Sequence, residues 1–288
     1  MCVGLSTTVL HLSAQAQPQL DDPLRHTLEF EGVEREYFVR LPVNYVAEKT
    51  FWLAIVVHGG NGNGRDFYLA KDVRLSADEL GLDAIVVSPS FSNEDFQASR
   101  FPALGEGKFL HRVLDDLHEQ YQLRPKILLT GYSRGGQFSH RFAFSNPELV
   151  EAVAPFAAGT WTTPNGSLLI ESFGKVGNPG TFLSKPENRL LVTERLYDIF
   201  SVRVANVAGQ TPKSGAKNVP FLVMCGSLDT RFEIAQEFAQ SMEFAGYSVE
   251  TEWPRTPHGS RNKEEFKTEF EKYSKNAVEF FLRVTEEE

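Results

Sequence analysis

The chain has 288 residues, 41% hydrophobic and 23% charged, enough to bury one sizeable core. Its formal net charge is -9 and Lys and Arg form no cluster or stripe, which argues against nucleic acid as a partner. No run approaches the ~20 apolar residues of a membrane span, so stable membrane insertion is not expected either. Two cysteines, Cys2 and Cys225, build no disulfide framework and leave the redox compartment open.

Residues 1–16 read as a weak or truncated signal peptide. Val3 to Leu12 is mildly apolar and Ala14-Gln15-Ala16 has the small-x-small form of a cleavage site, although the basic lead is missing and His11 interrupts the run. Export to the periplasm or medium follows from that reading; the alternative is a disordered tail on a cytoplasmic protein. The folded domain is expected to run from 26 to 285.

"HTLEFEGVEREYFVRLP", starting at His26, alternates in period two around Glu31-Gly32, the pattern of an antiparallel hairpin. "FWLAIVVHGG" and "DAIVVSPS" are continuous apolar runs, as expected of strands covered on both faces. Helical spacing appears over about 66–80 and again over 107–121, where Phe109, Leu110, Val113, Leu114, Leu117 and Tyr121 share a face. "KILLTG" is a strand, the segment from Gly135 a helix stopped before Pro147, and "VEAVAPFAAG" another strand. Residues 160–218 break the rhythm. They are rich in Gly, Pro, Ser and Thr, read as a lid-like insertion, and carry a possible helix around Leu190 to Asn206. "NVPFLVMCGS" and "YSVETEW" are strands, with helices at 231–245 and 262–283. Repeated β-then-α order predicts an α/β fold: a mostly parallel central sheet, helices on both faces and an antiparallel N-terminal hairpin.

Gly131-Tyr132-Ser133-Arg134-Gly135 stands between a buried strand and an amphipathic helix. Glycines on either side of a serine let a strand reverse into a helix so sharply that the hydroxyl stands clear at the helix N-terminus. There the backbone N–H groups favour a developing oxyanion. The same letters could serve as an ordinary turn and cap, but the strand before and the helix after favour a nucleophile at Ser133.

A serine hydroxyl needs a base, and the base needs an orienting carboxylate. Asp229 follows one buried strand and His258 follows the next, in the order serine, acid, histidine; His258 is the only histidine beyond Asp229. Asp229 could instead cap the helix near Phe232, with Glu151, Glu194 or Asp198 as the acid. "VVHGGNGNG", after the first buried strand, would supply one oxyanion donor from Gly60 or Asn61, with the Arg134 N–H as the second. His58 is expected to pack or hydrogen-bond beneath that loop. No zinc-type spacing and no phosphate-binding loop occur, so no metal and no cofactor are expected.

His58-Gly59-Gly60, Gly131 to Gly136, Asp229 and His258 together resemble the α/β-hydrolase superfamily, over about residues 26–285. The hairpin with "YFVRLP", the early His-Gly-Gly and the signal-like lead look like its exported esterase branch, which includes feruloyl esterases, acetylxylan esterases and polyhydroxybutyrate depolymerases. That resemblance implies a serine esterase working through an acyl-enzyme on a small-molecule or carbohydrate-linked ester. The chain lacks the cysteine pair that many of the depolymerases carry and shows no appended polymer-binding domain. A prolyl-type serine peptidase, or a non-catalytic binder on the same scaffold, are the alternative readings. Trp161, Phe173 and Phe182 in the insertion either line the substrate pocket or pack beneath it.

Overall fold

Leu24–Phe30 (β1) and Val33–Arg40 (β2) form the expected hairpin. Its two-residue turn has Glu31 and Gly32 at φ 51° and 81°, the left-handed pair that matches the twist of the flanking strands. The computed structural model describes residues 22–65, 67–94, 102, 105–166, 168–171, 196–197, 201–204, 212–259 and 264–286. The signal-like segment lies outside them.

The chain continues through Phe51–Val57 (β3), Tyr68–Leu80 (α1), Ala84–Pro89 (β4), Glu106–Gln120 (α2), Leu123–Tyr132 (β5), Arg134–Ser145 (α3) and Val150–Phe156 (β6). Four short strands follow, Thr160–Thr162 (β7), Leu168–Glu171 (β8), Leu196–Tyr197 (β9) and Ser201–Val204 (β10). A 3-10 turn at Ser214–Asn218 precedes Phe221–Met224 (β11), Phe232–Phe244 (α4), Val249–Glu252 (β12) and Glu264–Glu286 (α5).

The main sheet has eight strands in the order β1-β2-β4-β3-β5-β6-β11-β12. From β4 to β12 every pair is parallel, and β2 joins β4 antiparallel. Every residue of β3, β4 and β6 is buried, which explains why their sequences are apolar but for Ser88 and Glu151. β12 ends the sheet with Val249-Glu250-Thr251-Glu252, mostly exposed, and its carboxylates discourage pairing with another chain. α3 packs on β3, β5 and β6, while α1 packs against α5.

The helix expected around Leu190 to Asn206 is corrected wherever that segment is described: 196–197 and 201–204 are strands. Ser201-Val202-Arg203-Val204 alternates, and its two β-branched valines suit a pleated surface better than a helix. It pairs antiparallel with β8, Val202 opposite Ile170, in a second sheet ordered β7-β8-β10-β9. That small sheet packs through β7 on α3 and α4. Trp161 is fully buried there, stacked on Phe238 at 4.4 Å and tilted over His140 at 5.0 Å, so it belongs to the packing. Phe173 and Phe182 lie outside the described residues.

Candidate active site

β5 runs directly into the bend, and Ser133 sits at its apex with φ 54° and ψ -109°. Such a backbone costs of order 1–3 kcal/mol in a residue with a side chain and persists only where its surroundings impose it. They do. The Ser133 N–H donates to the Phe156 carbonyl at 2.9 Å, and the Ser133 carbonyl accepts the first helical bond from Gln137 N–H at 3.0 Å. A Cβ on Gly131 would lie 2.6 Å from the Gly135 carbonyl carbon, and one on Gly135 only 2.0 Å from the Val57 carbonyl oxygen. Both glycines are therefore spatial necessities of the reversal. Arg134 opens α3, where backbone N–H groups have no acceptor one turn earlier.

The His58-to-Gly64 loop lies alongside. A Cβ on Gly59 would be 3.6 Å from the Ser133 Cβ, and one on Gly60 3.3 Å from the Arg134 guanidinium. Gly62 N–H closes a turn on the Gly59 carbonyl at 3.2 Å, with Asn61 left-handed at φ 58°. His58 is buried beneath, as expected. The Phe91 N–H donates to its Nε2 at 2.9 Å, which leaves the ring proton on Nδ1 to donate to the Gly59 carbonyl at 2.7 Å. Phe91 is held in turn by its neighbours: Ser90 O accepts from Arg35 at 2.9 Å, and Ser92 N–H donates to Glu106 at 3.0 Å.

At the other side, Asp229 follows β11 and His258 follows β12. Their side chains meet: His258 Nδ1 donates to Asp229 Oδ2 at 2.7 Å. Asp229 Oδ1 accepts the Arg231 N–H at 3.0 Å and lies 3.4 Å from the Arg231 guanidinium. One carboxylate thus faces His258 with one oxygen and Arg231 with the other, and it does not cap α4, whose N-cap is Arg231 with no side-chain cap bond. Burial pushes the Asp229 carboxyl up, but the His258 bond and charge and the Arg231 contacts outweigh it and hold the group below its ordinary value. Glu151, an alternative acid, is engaged by Lys126 at 2.8 Å. Glu194 and Asp198 lie outside the described residues.

Tyr132, the residue before Ser133, reaches the histidine. The Tyr132 ring stacks on the His258 ring, with centroids 4.9 Å apart and planes 17° apart. Among the described residues no hydrogen bond joins Ser133 to His258. Nor, among them, does any group of three His, Cys, Asp or Glu stand close enough to hold a metal.

No family model and no curated sequence matches the chain. Solved structures do. A ferulic acid esterase superposes with a TM-score of 0.64 at 18% identity, over 91% of this chain and 98% of its own. S-formylglutathione hydrolase FrmB from Staphylococcus aureus gives 0.61 at 13% identity, over 89% and 98%. A thermostable esterase gives 0.57 at 16% identity; 92% of this chain is covered, and the chain spans 63% of that protein's length. The fold is that of the α/β hydrolases. In this α/β-hydrolase fold the bend after β5 and the loops after β3, β11 and β12 all open at the carboxyl ends of parallel strands, where such sheets keep their sites.

Sequence reasoning passed over Tyr132 and Arg231. Tyr132 occupies a variable letter of the serine motif, and only the tertiary fold brings it to an imidazole far along the chain. Arg231 carried a detectable signal, a cation two residues from the proposed acid.

Proposed function

We propose that the protein is a serine hydrolase that cleaves carboxylic esters through an acyl-enzyme. The observation that carries this reading is the 2.7 Å Asp229–His258 bond, with His258 stacked on Tyr132, the residue that precedes a serine held in a strained bend. Ser133 Oγ attacks the acyl carbon while His258 Nε2 takes its proton. The same imidazolium then passes the proton to the leaving alcohol, and a water activated by the neutral imidazole releases the acid. Asp229 keeps the histidine proton on Nδ1 and stabilises the imidazolium. Catalytic hydrogen bonds are often long or misaligned before substrate binds, and in this reading the Ser133–His258 bond forms when the ester is bound.

The oxyanion is bound by the Arg134 N–H and a donor from the His58-to-Gly64 loop. The His58 bond to the Gly59 carbonyl supports Gly60 as that donor, because a trans peptide turns its N–H away from its own C=O. Each donor is worth about 3 kcal/mol in the transition state. The esterase neighbours support a small-molecule ester as substrate.

A panel of nitrophenyl and hydroxycinnamoyl esters, with matched anilides, tests the proposal. Wild type should turn over esters faster than anilides, accept a fluorophosphonate on Ser133, and lose both properties in Ser133→Ala. Activity that survives Ser133→Ala removes the nucleophile. Faster anilide turnover favours the peptidase reading, and a folded protein that takes no label is a binder.

A further inference from the structure

We propose that Tyr132 is a positioning residue for the His258 imidazole, clamping its ring face and anchoring the loop that carries it. The inference rests on the serine-hydrolase reading of the same site. An in-plane hydrogen bond from Nδ1 to Asp229 fixes the tautomer but leaves the imidazole free to tilt about that bond. A flat ring against the imidazole face removes the tilt, and the centroid distance of 4.9 Å at 17° is that of an offset stack. The Tyr132 hydroxyl also donates to the Gly259 carbonyl at 2.9 Å, just past the histidine. Burial drives the phenol far above its ordinary value, so the proton stays on to make that bond.

The rest of the loop is tied from the opposite side. Ser227 N–H donates to the Pro254 carbonyl at 2.7 Å and Leu228 N–H to the Thr256 carbonyl at 3.0 Å, binding the histidine loop to the Asp229 loop. Tyr132 supplies the anchor on the serine side. It is itself immobilised, edge-on to Phe270 at 4.9 Å and tilted on Phe156 at 5.0 Å. Gly59 approaches it so closely that a Cβ there would sit 3.2 Å from its ring. Asp229, Arg231, Tyr273 and Cys225 are the titratable groups that face it. One residue thereby joins the bend, the oxyanion-side loop and the base, and any shift of β5 moves nucleophile and imidazole together.

The test uses the full chain with Tyr132→Phe, which removes the hydroxyl alone, and Tyr132→Leu, which removes ring and hydroxyl. Tyr132→Met replaces the leucine variant if that one does not fold. Loss of the stack should lower kcat roughly 10- to 100-fold with KM unchanged, because the imidazole loses its aim. Tyr132→Phe should recover all but about fivefold, the worth of one hydrogen bond. In a His258→Ala background the leucine change should not slow the residual fluorophosphonate labelling further. Equal loss with and without His258 overturns the proposal, as does a phenylalanine variant no better than leucine. The His258 ring protons, followed by NMR, give a readout independent of turnover. They should move downfield when the stacked ring is lost and stay in place in Tyr132→Phe. If wild type neither turns over esters nor takes the label, the hydrolase reading fails, and unchanged His258 resonances in Tyr132→Leu then reject the clamp separately.

Discussion

Gly135→Ala is the sharpest perturbation of the bend. A Cβ at this position would stand 2.0 Å from the Val57 carbonyl oxygen and 2.9 Å from that of His58. Both are backbone atoms, so no side chain can rotate aside. Ordinary contact begins at 3.4 Å, so the helix start must retreat by about 1.4 Å. β3 is hydrogen-bonded to β4 on one side and β5 on the other and cannot yield. The first turn of α3 moves instead, and overpacking of this kind costs about 1–3 kcal/mol. Ser133 and the Arg134 N–H ride on that turn. A misplacement near 1 Å lowers the rate roughly 100-fold, beyond the loss of stability. Gly32→Ala is the control: φ is +81° there, but nothing lies within 4 Å of the new Cβ. It should cost about 1–2 kcal/mol of backbone strain and leave reactivity alone. Thermal unfolding and the second-order rate of fluorophosphonate labelling separate the two effects. A Gly135→Ala protein that melts and labels like wild type would refute the steric reasoning, and so would equal labelling losses in both variants.

Asp229→Asn should lower kcat about 10,000-fold by favouring the wrong histidine tautomer, with KM little changed in ester assays. The same carboxyl gives a pH dependence of stability. Its folded value lies below the ordinary 3.8, so the stabilisation is fully present above about pH 4 and is lost as pH falls through the lowered value. Acid titration of the unfolding free energy should therefore be flatter below pH 4 in Asp229→Asn than in wild type. His58→Ala strands the buried Phe91 N–H, which should cost about 1–3 kcal/mol in denaturant unfolding and reduce kcat through the loosened Gly59 carbonyl. Trp161→Ala should cost about 3–5 kcal/mol by opening a cavity against Phe238, while leaving the acyl-length preference across an ester panel unchanged.

The central sheet was legible because burial on both faces writes itself as unbroken apolar runs. "FWLAIVV" and "AIVVSP" admit few other readings, and both are strands with no exposed residue. The amphipathic stripe over 107–121 likewise became α2, within a residue at each end. The insertion was not legible in the same way. β9 and β10 are two and four residues long, too short for an alternation to stand out, and β10 pairs with β9 on one side and with β8, some thirty residues earlier, on the other. Trp161 shows a related ambiguity. An aromatic in a polar segment looks the same in sequence whether it lines a pocket or fills a core, and only its contacts with Phe238 and His140 decide.

At the candidate site, legibility divides by what each residue does. Ser133, Asp229 and His258 stand out because the proposed chemistry demands those side chains in a fixed chain order. Gly131 and Gly135 stand out because a Cβ would collide with backbone, a restriction that holds whatever the rest of the sequence does. Tyr132 and Phe91 carry no such mark, and Arg231 carries only the faint one of a cation two residues from the acid. They act by proximity: a ring face 4.9 Å from an imidazole, a guanidinium 3.4 Å from a carboxylate, an amide 2.9 Å from a buried histidine. Other side chains could meet each need if the backbone shifted slightly, so their identities follow from the tertiary arrangement and cannot be read from spacing. On the proposed mechanism, the aim of the base depends on residues that the motif leaves unspecified, while the capacity for the reaction depends on those it fixes. Variants of the first kind should retain slow chemistry and variants of the second should lose it, a division that kinetics on Tyr132→Leu and Ser133→Ala can measure directly.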